Sequence, residues 1–164
     1  MQKITPFLWF DKNAEEAMNF YVSIFENAKI VSIKRYPDGP LDGPMKGMEG
    51  KVLTAVFELE GQKYMALDGG PFFKPSAAVS FYVECGTQEE VDYYWNALTV
   101  GGDEKAQQCG WLQDKFGFSW QIIPNALPQL LNDPDKEKVG RVMQAMLQMK
   151  KIDIAGLQKA YDGQ

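Results

Sequence analysis

Residues 109–124 have the sequence C-G-W-L-Q-D-K-F-G-F-S-W-Q-I-I-P, which predicts a β-hairpin. Residues 111–113 form one strand, residues 114–117 form the turn, and apolar and polar side chains alternate along the returning strand. One face of that strand carries Phe118, Trp120 and Ile122, and the other carries Ser119, Gln121 and Ile123. Pro124 ends the strand because proline has no N–H to donate. We therefore expect the aromatic face to join the core and the serine–glutamine face to line a cavity.

The composition is that of an ordinary globular protein. The chain has 164 residues, of which 45% are hydrophobic and 24% charged, and this predicts one compact domain. A net charge of −5 argues against nucleic acid or an anionic membrane as a partner. No apolar run of membrane-spanning length and no signal peptide pattern is present, and there are only two cysteines, Cys85 and Cys109. These features predict a protein of the reducing cytoplasm.

The sequence contains no histidine. Histidine is the commonest metal ligand and the commonest general base at neutral pH. A Ser-His-Asp triad, a Cys-His pair and a histidine-based zinc site are therefore excluded.

The hairpin belongs to the second copy of an internal repeat. The first copy has a predicted strand at 4–10, a helix from Asn13 to about Phe25, a strand at 28–36 and a hairpin of strands 52–60 and 63–68. A shift of 74 residues places Phe7 on Phe81 and the predicted helix cap Asn13 on a second predicted cap, Thr87. The pattern predicts an α+β fold of two strand-helix-strand-strand-strand (βαβββ) modules.

The predicted organisation has three parts within one compact domain. Residues 1–75 form the first module, residues 76–124 form the second, and residues 125–164 form a C-terminal helical extension. In the extension, Asp133 and the proline after it predict the start of a helix with an apolar, methionine-rich stripe. The Pro/Gly-rich insertion 37–50 in the first module is interpreted as a lid, a dimer arm or a surface loop.

These stretches together resemble a known family. They are I-T-P-F-L-W-F, E-E-A-M-N-F-Y, A-L-D-G-G-P, the hairpin 109–124 and the tail R-V-M-Q-A-M-L-Q-M-K-K-I-D-I. The chain resembles the PhnB-like branch of the vicinal oxygen chelate superfamily, which includes glyoxalases, bleomycin-resistance proteins and extradiol dioxygenases. This branch is often labelled demethylubiquinone methyltransferase. We discount that activity because the Gly-rich loop of a Rossmann methyltransferase is missing.

The resemblance implies curled sheets around a pocket, and a homodimer. In metal-bearing members the ligands come from the first and last strand of each module, which correspond here to Pro6, Ser80, Gln121 and a position within 65–68. Proline offers no ligand atom, and neutral serine and glutamine oxygens bind transition metals weakly. We therefore predict no metal site and no cofactor.

Three residues are candidates for catalysis. Gln121 could polarise a substrate or could satisfy a neighbouring strand. Asp68 could act as a general base or could bind the backbone of its own loop. Cys109 could be a nucleophile or a small core residue, while Cys85 is expected to be structural.

Six residues are predicted to line a ligand pocket. They are Phe7, Trp9, Ser80, Tyr82, Ser119 and Gln121. The preferred hypothesis is a protein with a cavity for a small organic molecule. The alternatives are a metal-independent isomerase or lyase and a dimeric interaction module that docks a partner through the methionine-rich tail.

Overall fold

A computed structural model of the chain describes residues 2–164. The chain divides into two compact units, residues 1–74 and 75–164. The strands are β1 (Phe7–Phe10), β2 (Ala28–Arg35), β3 (Val52–Leu59), β4 (Gln62–Asp68), β5 (Ser80–Cys85), β6 (Trp111–Gln113) and β7 (Ser119–Pro124). The α-helices are α1 (Ala14–Ile24), α2 (Gln88–Leu98), α3 (Ala126–Leu131), α4 (Lys136–Leu147) and α5 (Ile154–Asp162). The predicted mixed α+β class is confirmed.

The first unit is a four-stranded sheet with α1 packed on one face. The strand order is β1-β4-β3-β2, with β1 parallel to β4 and the other pairs antiparallel. Tyr21 of α1 stacks on Phe57 of β3 at a centroid distance of 6.4 Å, which identifies the helix-covered face. Glu60 and Gly61 both have positive φ, as a two-residue hairpin turn between twisted strands requires.

The second unit has a three-stranded sheet of order β5-β7-β6, in which β5 is parallel and β6 antiparallel to β7. The predicted hairpin is confirmed. The fourth strand expected for this module is not found among residues 2–164, because residues 102–110 contain a short 3₁₀ helix, Glu104–Ala106, and one bridge from Gln108 to Trp111. A Cβ on Gly102 would overlap the Gln113 carbonyl oxygen, so this position beside the end of β6 requires glycine.

Helices α1 and α2 support the internal repeat. Each has 11 residues, and the shift of 74 residues aligns them end to end. Three aligned pairs are buried in both, namely Ala17 and Val91, Tyr21 and Trp95, and Ile24 and Leu98, whereas Ala14 and Met18 are buried in α1 only. Apolar spacing along the two segments therefore predicts a shared buried stripe, which is wider in α1.

The first turns of these two helices differ. Thr87 accepts a hydrogen bond from the Glu90 N–H, as predicted for its cap. The prediction that the Asn13 side chain caps α1 is wrong. Asp68 satisfies another donor of this first turn, since its Oδ1 accepts from the Ala14 N–H at 2.9 Å.

The C-terminal extension forms a second small core with the end of β7. Its buried members are Ile123, Leu127, Val142, Ile152 and Leu157. Helix α4 begins two residues later than predicted: Asp135 is its cap, whereas Asp133 accepts hydrogen bonds from the Asp135 N–H and the Tyr161 hydroxyl. Within residues 2–164, no helix combines the length and the apolar character needed to cross a membrane.

Candidate functional site

The open face of the second sheet, opposite α2, carries most of the predicted site residues. Strand register places Ser80 beside Ser119 and Tyr82 beside Gln121. The Gln121 Nε2 donates a hydrogen bond to the Ser80 hydroxyl at 2.9 Å. Two of the positions that the resemblance links to metal ligands are therefore in direct contact.

A cavity of about 220 Å³ opens at this face. It is lined by Tyr82, Cys109, Trp111, Gln121, Ile123, Leu127, Pro128, Leu131 and Met146. The sheet contributes the polar groups of Tyr82 and Gln121 to one wall, whereas α3 and α4 contribute apolar side chains to the other. No charged residue lines the cavity among the described residues. The arrangement suits an uncharged molecule with one polar end.

The state of Tyr82 matters for hydrogen bonding in the cavity. Burial raises the pKa of Tyr82, and the nearby Glu84 carboxylate adds to the effect. The phenol therefore remains protonated at neutral pH and can donate a hydrogen bond to a ligand.

The buried carboxylate of Asp114 fixes the hairpin that carries Gln121. Its Oδ1 accepts from the N–H groups of Phe116 and Phe118 at 2.9 and 3.0 Å, and its Oδ2 accepts from Trp120 Nε1 at 2.8 Å. Trp120 is 2% exposed and lies on the helix-covered face, as the alternation predicted. Gln121 is the next residue, so the buried tryptophan holds Gln121 towards the opposite face.

The catalytic candidate Asp68 lies in the first unit and is 1% exposed. Its Oδ1 binds the Ala14 N–H and its Oδ2 accepts from the Val52 N–H at 2.9 Å. These bonds join the start of α1 to the start of β3. Both carboxylate oxygens thus bind backbone N–H groups of distant elements, and neither bonds to the loop that follows Asp68.

The Gly69-Gly70 pair that follows Asp68 is explained by Trp9. A Cβ on Gly69 would overlap the Trp9 indole, whose Nε1 donates to the Gly70 carbonyl at 2.9 Å. The N–H groups of Gly69 and Gly70 donate to the carbonyls of Phe10 and Asp11. These amides therefore complete the fold of the turn.

The predicted pocket residues Phe7 and Trp9 lie on the open face of the first sheet, and Phe7 is 51% exposed. They belong to the first unit, whereas Ser80, Tyr82, Ser119 and Gln121 belong to the second. The four residues of the second unit lie together, because Ser80 pairs with Ser119, Tyr82 pairs with Gln121, and Gln121 bonds to Ser80. Pro6 continues the alternation of β1 on the side of the buried Leu8, so it does not share the open-face position of Ser80.

The two cysteines have different surroundings. Cys85 is fully buried, and burial raises its pKa to about 11. Cys109 lines the cavity, has a φ of 51°, and its sulfur accepts a weak hydrogen bond from Gln108 Nε2 at 3.4 Å. Of the two thiols, only that of Cys109 borders the candidate site.

The family resemblance links certain positions of this chain to metal ligands, and the side chains at those positions do not fit a metal ion. Gln121 uses an amide N–H on Ser80, and Asp68 is occupied by two backbone donors. Within residues 2–164, no group of three or more His, Cys, Asp or Glu side chains could hold a metal. Neutral oxygens without an anionic or imidazole partner form a poor transition-metal site.

Several lining residues were not predicted from the sequence. Trp111 is not among the six predicted pocket residues, but its register opposite Gln121 places both on the open face. Pairing the two hairpin strands across their turn gives that position. Leu127, Leu131 and Met146 belong to the extension and reach the cavity through tertiary packing, for which the local sequence gives no signal.

Comparisons with known proteins agree with this fold. A family model described as 3-demethylubiquinone-9 3-methyltransferase matches residues 2–123. A PhnB protein from Bacillus cereus, named for the same methyltransferase, is 43% identical over 75% of this chain and 99% of its own, with a TM-score of 0.64. None of the curated proteins compared with the sequence matches it.

Two more distant structures share the fold alone. Protein PA1353 from Pseudomonas aeruginosa is 22% identical over 76% of this chain and 98% of its own, with a TM-score of 0.59. The fosfomycin resistance protein FosX from Listeria monocytogenes, solved as a mutant with Mn(II) and a dihydroxypropylphosphonic acid, is 16% identical over 81% of this chain and 100% of its own, with a TM-score of 0.51. The family match and the 43% identity show that the chain belongs to the PhnB-like family described as 3-demethylubiquinone-9 3-methyltransferase.

Proposed function

We propose that this protein binds a small, uncharged organic molecule in the cavity of its second unit, without a metal ion. The observation that supports the proposal is the composition of the cavity wall. Gln121 and Tyr82 offer hydrogen bonds on one side, and leucine, proline and methionine side chains cover the other. A concave, mostly apolar site with a few converging polar groups is typical of ligand pockets.

The absence of charge from the described lining limits the ligand class. Burying an ion without a partner of opposite charge costs far more than burying a hydrogen-bonded neutral group. FosX was solved with a phosphonic acid and Mn(II). This cavity has neither a cationic side chain nor a fitting set of metal ligands in the described residues, so we expect phosphonates to bind poorly.

The methyltransferase label of the family does not guide the proposal. A Rossmann methyltransferase uses a Gly-rich loop between a strand and a helix to approach its cofactor. Here α1 follows β1 after Asp11, Lys12 and Asn13, and α2 follows β5 after Gly86 and Thr87. Small-molecule binding, by the homodimer that the family resemblance implies, in the cytoplasm that the composition predicts, is therefore the preferred function.

The test combines native mass spectrometry with ligand-detected NMR on the purified full-length protein. Mass spectrometry reports the subunit number and any retained organic or metallic mass. NMR screens matched sets of neutral, anionic and cationic fragments, with and without a chelator. We expect hits concentrated in the neutral set and unchanged by chelator. Hits confined to anions, or binding lost on chelation, would contradict the proposal.

Gln121→Leu provides the matched variant. It keeps the size of the side chain but removes its hydrogen-bonding groups, so we expect neutral fragments to bind roughly tenfold to a hundredfold more weakly. Gln62→Leu, at an exposed glutamine in β4, is the control and should leave binding unchanged. Equal affinity of wild type and Gln121→Leu would exclude Gln121 from the site.

A further inference from the structure

The cavity is closed by a part of the chain outside the family match. The family model ends at Ile123, but four of the lining residues follow it. These are Leu127, Pro128, Leu131 and Met146. The matched module supplies the polar wall, and the extension supplies the apolar one.

Backbone hydrogen bonds attach the extension to the start of the hairpin. The N–H groups of Cys109 and Gly110 donate to the carbonyls of Met149 and Lys150, each at 2.8 Å. The Gln108 Nε2 donates to the Leu147 carbonyl, also at 2.8 Å. The segment after α4 is thus bound along the chain that leads into β6.

A second attachment joins the extension to α2. Gln88 accepts from the Ile154 N–H at 2.9 Å and donates to the Ile152 carbonyl at 3.1 Å. Ile152 is fully buried in the small core that includes Leu127. These hydrogen bonds attach the extension, which carries the apolar wall, to α2 and to the start of the hairpin.

Leu131 and Met146 are the wall residues best suited to set ligand size. Both pack against the small core while remaining only partly buried, so a change in their volume alters the cavity before it alters the core. Met146 is also flexible enough to adapt to different apolar shapes.

Resting on the proposed function, we infer that Leu131 and Met146 determine specificity by selecting the length and apolar character of the ligand held at Gln121. The ligand class is a neutral molecule with a hydrogen-bonding head group and a short hydrocarbon body. The head group contacts the sheet wall, and the body packs against α3 and α4.

The probes are linear primary carboxamides from acetamide to octanamide, titrated into the full-length protein by ligand-detected NMR. For wild type, we expect affinity to rise about fourfold for each added methylene until the cavity is filled and then to fall. Met146→Ala should move the optimum to a chain about two carbons longer because it removes side-chain volume from the wall. Met146→Phe should move the optimum to a shorter chain.

Two variants act as controls. Met143→Ala changes a methionine on the same helix that is 46% exposed, and it should leave the optimum in place. Gln121→Leu should weaken every carboxamide by a similar factor without moving the optimum. If Met146→Ala does not fold by circular dichroism, Leu131→Ala provides the same test.

The outcomes separate the two proposals. If wild type binds carboxamides and Gln121→Leu weakens them, but the optimum stays fixed in the variants of Met146 and Leu131, the specificity role is wrong and the proposed function stands. If wild type binds no carboxamide and no neutral fragment, the proposed function fails and the specificity role fails with it.

Discussion

The two units use matching helices but treat the open faces of their sheets differently. In the first unit, register places apolar side chains on that face, among them Phe7, Trp9, Met65 and Leu67. In the second, the corresponding face carries the Ser80–Gln121 hydrogen bond and a cavity closed by the extension. A duplicated module can therefore keep its core pattern while one copy carries polar groups on a face that is apolar in the other.

A buried aspartate is present in each unit, and its position shows how each copy is held together. Asp68 joins α1 to β3, two elements far apart in sequence. Asp114 organises its own hairpin and binds the indole of Trp120. The first unit uses its carboxylate for a long-range connection, and the second uses its carboxylate to shape the strand that carries Gln121.

Removing these carboxylates should have the largest effect on stability. Asp114→Ala leaves three donors without their acceptor and Asp68→Ala leaves two, and each buried unpaired donor costs roughly 1–3 kcal/mol. We expect the free energy of unfolding to fall by about 4 kcal/mol for Asp114→Ala and about 3 kcal/mol for Asp68→Ala.

Urea denaturation followed by tryptophan fluorescence measures both losses. Asp114→Asn and Asp68→Asn retain an acceptor oxygen, so each should lose less stability than its alanine counterpart and serves if the alanine variant does not fold. A larger loss at Asp68 than at Asp114 would show that the long-range connection, not the number of donors, dominates.

Each unit also contains a closely packed glycine, Gly69 in the first and Gly102 in the second. A Cβ at Gly102 would overlap the backbone oxygen of Gln113, whereas a Cβ at Gly69 would overlap the side chain of Trp9. A side chain can rotate away and a strand backbone cannot, so we expect Gly102→Ala to cost about 3 kcal/mol and Gly69→Ala about 2 kcal/mol. Urea denaturation of the two variants measures both costs.

A second substitution tests the cause. In a Trp9→Leu background, Gly69→Ala should cost clearly less, because the overlapping indole is gone. Gly140→Ala is the control: nothing lies within 4 Å of its Cβ position in α4, so it should stabilise by about 0.5–1 kcal/mol. An unchanged cost of Gly69→Ala without the indole would mean that the backbone of the turn, not Trp9, requires glycine.

Much of the fold could be predicted because its signals are local. Apolar spacing predicts both helices, and alternation predicts the 109–124 hairpin and the buried side of Trp120. The missing strand of the second module could not be predicted in this way. Residues 102–110 contain a 3₁₀ helix and one bridge in its place, and a sequence pattern does not show whether a segment finds a strand to pair with.

The candidate site could likewise be predicted only where its signals are local. Ser80 and Gln121 could be paired from their positions on two strands, and they form a hydrogen bond. The wall that includes Leu131 and Met146 could not, because an apolar stripe predicts burial without naming the surface it covers. The face on which Pro6 lies could not be predicted either. A shift of one residue along β1 reverses the face, and only the strand register shows that Pro6 lies away from the open face.

The smallest predicted difference concerns the two helix caps, which look equivalent in sequence. Thr87 accepts from the Glu90 N–H, so Thr87→Ala should lower the free energy of unfolding by about 1 kcal/mol. Asn13 makes no capping bond through its side chain, and its ψ of 25° lies outside the extended region that a capping residue adopts. Asn13→Ala should therefore change stability by only about 0.3 kcal/mol. Urea denaturation of both variants, and of Asn13→Ala in an Asp68→Asn background, measures the difference. Equal costs for Asn13→Ala and Thr87→Ala would mean that the Asn13 side chain does cap α1, and that the two units begin their helices in the same way.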